Sequence, residues 1–120
     1  MSLRPSWDEY FKALVQLTST RSSCEKLHVG CLFVKDNRII AQGYNGFPRY
    51  ILDDPEQYED RETKYQYIVH AEMNVIYNAC YNGTSLDGAS LFIYGLPLCS
   101  KCCLGVIQVG IERVFITAIL

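Results

Sequence analysis

The run "ASLFIYG", residues 89–95, sets the terms for the rest of the chain. It is nearly all apolar, with none of the in-out alternation of a half-buried strand, and it carries aromatic and β-branched residues. A strand of this kind is central in a sheet and buried on both faces. A chain that contains it needs a covering layer on each side. Where strand and helix patterns alternate, helices supply those layers.

Such patterns flank the run on both sides. "RPSWDEYFKALVQLTSTRS" opens a helix. Ser6 and Glu9 have capping-box spacing, and Trp7, Phe11, Leu14, Val15 and Leu17 predict an apolar stripe at helical period. This helix is expected to end between Ser19 and Arg21. "HVGCLFVKDNRIIAQGYNG" reads as a hairpin, with strands at Val29–Val34 and Ile39–Gly43 around the turn "KDNR". Residues 44–68 form a long polar and aromatic loop, a feature that in compact domains often carries function. A second helix runs from about His70 to a stop at Asn82-Gly83. "CSKCCLGVIQVG" gives a third helix ending at Gly110, and "IERVFITAIL" a fourth strand. The order is therefore α-β-β-α-β-α-β. Right-handed crossovers then pack helices two and three side by side on one face of the sheet. No repeat, low-complexity tract or linker interrupts the pattern, and residues 1–120 read as a single domain.

Composition narrows the class. At 49% hydrophobic and 20% charged residues the chain can build a core, and disorder is excluded. A net charge of −2 and a pI near 5.6 argue against nucleic acid as partner, because phosphate binding leaves a basic footprint. No apolar run approaches membrane-spanning length, so no membrane association is expected. "MSLRPSWDEY" holds no apolar signal region, and the expected location is the cytoplasm. In that reducing compartment the six cysteines are not a disulfide framework. Cys24, Cys31 and Cys80 read as small apolar residues. The cluster Cys99, Cys102 and Cys103 needs another explanation.

That explanation links "HAE", residues 70–72, with "LCSKCC", residues 98–103. Both open a helix, and the crossovers bring the two helix starts together. His70, Cys99 and Cys102 then offer one nitrogen and two sulfurs, a zinc donor set that leaves a fourth position for water. Two cysteines at i and i+3 across a helix start can face one ion, and the helix dipole favours their thiolates. A metal so held lowers the pKa of its water toward neutrality. Glu72, two residues from His70, diverges in direction and cannot easily share the ion. It is free to move protons at the water. Cys103 is next to Cys102 and should point away.

This spacing resembles the motif of the zinc nucleobase deaminases. The wider chain resembles the deoxycytidylate (dCMP) deaminases of the zinc-dependent cytidine deaminase superfamily, over about residues 10–117. The likeness is carried by "TRSSCEKLHVGCLFVKDNRIIAQGYNGFP", "ETKYQYIVHAEMNVI" and "CSKCCLGVIQVGIERVF". Its most specific parts are "GYNGFP" and "TKYQYIVHAE". The resemblance implies a three-layer α-β-α cytidine-deaminase-like fold, a mixed sheet with helices on both faces. It further implies Zn2+ as cofactor, a small-molecule nucleotide as substrate, hydrolysis of dCMP to dUMP and ammonia, and a homo-oligomer. Glu72 would be the catalytic residue, protonating N3 and then carrying a proton to the departing amine. His70, Cys99 and Cys102 would hold the metal, and the backbone around Ala71 the base. Asn45 resembles the asparagine that contacts the sugar. Arg21 is the candidate cation for the phosphate, with Lys26 and Arg49 behind it.

Each of these readings has a plainer counterpart. Tyr67, with Tyr65, either covers the base or packs on the sheet. Asn45 between glycines is also a turn residue, and Arg21 at a helix end can meet terminal carbonyls. The sequence departs from the family at Leu98, which directly precedes the first cysteine where the family has proline; Pro97 lies one position earlier. It also stops after the fourth strand, where family members continue into a further strand and helix. The alternatives are a deaminase of cytidine, guanine, a pterin-like ring or tRNA adenosine, or a catalytically silent zinc module. The negative charge disfavours the tRNA reading. An intact Glu72 disfavours the silent module.

Overall fold

A computed structural model describes residues 3–22, 27–46, 69–95 and 99–118. Helix α1 spans Trp7–Ser19, β1 Gly30–Lys35, β2 Arg38–Tyr44, α2 Ala71–Asn82, β3 Ser90–Gly95, α3 Ser100–Gln108 and β4 Arg113–Ala118. The order matches the α-β-β-α-β-α-β pattern of the sequence. The sheet runs β2-β1-β3-β4. β1 is antiparallel to both β2 and β3, and β3 is parallel to β4, so the sheet is mixed.

β3 is central, as its apolar run requires. Leu91 and Ile93 face one side with Cys31 and Phe33 of β1, packed against Val75 and Ala79 of α2 and Val106 of α3. Phe92 faces the other side with Leu32 and Val34, packed against Phe11 and Val15 of α1. The two faces follow from the period-two direction of side chains along a strand. On the α1 side the rings of Phe92 and Phe115 stack at 4.7 Å. The architecture is three layers, with one helix on one face and two on the other.

The caps explain where the helices start and stop. Ser6 and Glu9 form the expected capping box. Gly83 ends α2 in the left-handed conformation, φ 70°, which costs glycine nothing. α3 ends at Gln108, two residues before the expected Gly110, and β4 begins at Arg113. His70 is the N-cap of α2, in extended conformation, and not its first helical residue.

One expectation fails on α1. Phe11 and Val15 are buried there, but Trp7 is 55% and Leu17 64% exposed. Leu17 lies about 200° around the helix from Val15, which turns it away from the sheet. Trp7 is in the first turn, where its ring stacks on Phe11 at 5.7 Å and stays open to solvent on its outer side.

Candidate active site

The site is built where α2 and α3 begin. Each helix start contributes its N-cap residue, His70 for α2 and Cys99 for α3. Both caps have extended backbone, which turns their side chains toward the gap between the two helices. The helices approach closely: a Cβ on Gly105 would meet Met73 Sδ at 2.7 Å, so a larger residue there would displace the Met73 side chain.

His70 Nδ1 lies 3.5 Å from Cys99 Sγ and 3.3 Å from Cys102 Sγ. The three donor atoms all lie within 4.8 Å of one another. Nitrogen and sulfur ligands at about 2.1 and 2.3 Å from a tetrahedral ion stand roughly 3.5–3.8 Å apart. The donor set therefore fits zinc in both chemistry and spacing. No other group of three or more donors converges in this way among the described residues, and Cys103 is not part of the set. The Cys102 backbone N–H donates to Cys99 Sγ at 3.3 Å, which fixes where that sulfur sits.

Exposure is graded across the set. His70 is exposed, Cys99 half-buried and Cys102 buried. Burial pushes the Cys102 thiol up, reinforced by its hydrogen bond to Cys99 and by the charge of Glu72. Cys31, buried in β1, is raised by burial first and then by Glu72 and Cys102. A bound dication inverts this logic, since it stabilises the thiolates that burial opposes. Cys31 thus lies under the site as an apolar floor. It is the small core residue that its sequence context predicts.

Glu72 is only 4% exposed, in the first turn of α2. Its charge is one of the influences that push the neighbouring Cys102 thiol up. Burying a carboxyl group is costly unless it is hydrogen-bonded or paired, for instance with a bound cation. Ala71, 1% exposed, occupies the first helical position, where the backbone N–H has no partner in the helix.

The remaining predicted residues are differently disposed. Asn45 is 5% exposed, and its side chain is engaged by backbone. Its Oδ1 accepts from Val29 N–H at 3.0 Å, and its Nδ2 donates to Leu27 O at 3.1 Å. The Ser22 hydroxyl donates to Asn45 O at 2.9 Å. Asn45 therefore ties the end of β2 to the entry of β1, with one Nδ2 hydrogen left over among the described residues. Arg21 is exposed, in the turn after α1, one residue before Ser22. Tyr67, Tyr65, Lys26, Arg49, Cys24, Pro97 and Leu98 lie outside the described residues.

A mixed sheet between α layers, with nitrogen and sulfur donors at two helix starts and a buried carboxylate beside them, defines a metal-binding α/β domain. Residues 5–118 match the family described as "Cytidine and deoxycytidylate deaminase zinc-binding region", and the chain belongs to that family. A probable deoxycytidylate deaminase of Drosophila melanogaster is 41% identical over 119 residues, covering 90% of this chain and 57% of the relative. The chain thus spans little more than half the length of that relative. The crystal structure of dCMP deaminase from the cyanophage S-TIM5 in apo form aligns with a TM-score of 0.76 at 26% identity, covering 97% of this chain and 86% of the other. The same enzyme in complex with dCMP and dUMP aligns at 0.75 and 25% identity, covering 96% and 83%.

Proposed function

We propose that this chain hydrolyses a cytosine nucleotide, with dCMP as substrate and dUMP and ammonia as products. The observation that carries the reading is the convergence of His70, Cys99 and Cys102 beside a buried Glu72, in a chain of the zinc-binding deaminase family. Its support for dCMP is the likeness to deaminases named for that substrate.

In this reading His70 Nδ1 and the sulfurs of Cys99 and Cys102 hold zinc. Bound there, zinc lowers the pKa of a coordinated water toward neutrality. Everything else falls to side chains and backbone of the chain. Glu72 accepts a proton from the attacking water and delivers it to N3 of the pyrimidine. It then carries a proton to the amine that leaves C4. Burial keeps bulk water from competing for those protons. The free backbone N–H at Ala71 orients the base, and the spare Nδ2 hydrogen of Asn45 points the clasped amide at the sugar.

Arg21 supplies the cation for the phosphate. A charge-assisted hydrogen bond is worth about 1.5–3 kcal/mol, roughly ten- to a hundredfold. The kcat/KM for dCMP is therefore expected to exceed that for deoxycytidine by at least tenfold, and Arg21→Ala to erase most of the gap. Equal rates on the two substrates would refute the phosphate contact and leave deamination standing. Activity confined to a purine or another amino-heterocycle would refute dCMP.

The same reading makes the protein cytoplasmic and homo-oligomeric. None of the described cysteines is paired, as a reducing compartment requires. No described helix is long and apolar enough to cross a membrane. Both outer strands, β2 and β4, are sheet edges, and Val114 and Ile116 of β4 are 39% and 48% exposed. Apolar edges of this kind call for a cover.

A further inference from the structure

The side-chain contacts of His70 among the described residues are those of Nδ1 with the two cysteine sulfurs. His70 makes no capping hydrogen bond, and among the described residues none hydrogen-bonds its Nε2. Metal-ligating histidines are ordinarily fixed through that second nitrogen. Here the backbone on either side of His70 is held instead. Directly before it, Val69 and Gly46 exchange two hydrogen bonds, Gly46 N–H to Val69 O at 3.1 Å and Val69 N–H to Gly46 O at 2.6 Å. One turn after it, Asn74 N–H donates to His70 O at 2.8 Å. The Asn74 side chain reaches across to β2 and donates from Nδ2 to Tyr44 O at 2.7 Å. Tyr44 and Gly46 are in turn tied to the entry of β1 through Asn45.

We propose that Asn74 is a positioning residue for the metal centre: its amide clamps the first turn of α2 to the end of β2, and so aims His70 and Glu72. It touches neither the donor atoms nor any substrate. The inference rests on the zinc reading of the site, which it deepens by naming what holds the histidine. Tyr44 is the last residue of β2, an outer strand of the sheet, in register with Gly30 of β1. The side chain of Asn74 is half-buried there, so the hydrogen bond is partly shielded from water. No residue type with an apolar side chain can replace it.

The test is zinc transfer to a chromogenic chelator from zinc-loaded full-length protein. Asn74→Ala raises helix propensity, so it does not weaken α2 itself. It is expected to release zinc at least tenfold faster, within the ten- to hundredfold range of lost supporting contacts. Asn74→Gln keeps an amide donor on a longer arm and should fall between the two. Cobalt-substituted Asn74→Ala should show altered visible bands, which report ligand geometry. Asn82→Ala is the control, because Asn82 Nδ2 also donates to a backbone carbonyl, Asn78 O at 2.9 Å, at the far end of the same helix. It should stay folded and release zinc at the wild-type rate.

Wild-type zinc release and cobalt bands in folded Asn74→Ala would overturn the proposal. So would equal loosening by Asn82→Ala, which would mark general destabilisation. Should Asn74→Ala not fold, Asn74→Gln decides: release at the wild-type rate with unaltered cobalt bands counts against the proposal, and faster release for it. The metal measurements need no substrate. Wild type that holds zinc but releases no ammonia from any amino-heterocycle would refute the deaminase reading and leave Asn74 to be judged on zinc transfer. Where turnover is present, Asn74→Ala should lower kcat at least fivefold with KM within about twofold, because aim is lost and binding surface is not.

Discussion

At the residue scale, the chemistry of the site is decided by burial set against charge. Cys102 is a buried thiol next to Glu72, and both conditions push its ionisation up. Without metal it stays protonated at neutral pH, so zinc binding must expel its proton. Each proton released makes the apparent zinc affinity rise about tenfold per pH unit below the thiol's own ionisation. Affinity is therefore expected to increase steadily from about pH 6.5 to 8.5, measured by chelator competition corrected for the chelator's own protonation. A flat profile would mean that the thiol is already ionised. His70, Glu72, Cys99 and Cys102 were legible in the sequence because each donor type has a characteristic spacing at a helix start. Asn74 was not, since nothing local marks an asparagine in the middle of "AEMNVIYNAC" as the partner of a carbonyl thirty residues earlier. The Asn45 side chain was legible only in part. Its neighbouring glycines signalled a special backbone, but its partners Leu27 and Val29 are fixed by tertiary pairing.

At the element scale, the site depends on how closely α2 approaches β2. Gly43 lies under the helix, and a Cβ there would meet Val75 Cγ2 at 2.7 Å. Val75 is fully buried and β-branched, so it has little freedom to yield. Gly43→Ala should cost about 1–3 kcal/mol as overpacking, seen as a lower urea midpoint at unchanged slope. The cost should shrink in a Val75→Ala background, because the clash is then relieved. An equal cost in both backgrounds would place the strain elsewhere. The order of elements was readable because each has its own apolar period: alternation in the hairpin, the unbroken run of β3, and the three-to-four spacing of the helices. The α1 stripe was overread. The pattern admits Trp7 and Leu17, but a helix lying on a sheet buries a narrower arc, and only Phe11 and Val15 enter it fully.

At the scale of the whole molecule, the two helices on one face of the sheet and the β4 edge carry exposed large apolar side chains. Tyr77 and Tyr81 on α2, and Leu104 and Ile107 on α3, are each more than half exposed. Together with the β4 edge they support self-association, and sedimentation at micromolar concentration is expected to show a dimer or larger. A clean monomer would contradict that. The sandwich of helices around a central apolar strand follows from the sequence, whereas the meeting of two distant helix starts follows only once the crossovers are drawn. The central claim is that this meeting makes a zinc deaminase with Glu72 as its proton carrier. Its most direct test is ammonia release from dCMP by zinc-loaded protein, with zinc content measured on the same samples for wild type and Glu72→Gln. The account predicts about one zinc per chain in both, and turnover in the variant lowered by at least a hundredfold, the scale of general acid–base catalysis. A Glu72→Gln protein that keeps its zinc and turns over dCMP at close to the wild-type rate would contradict it.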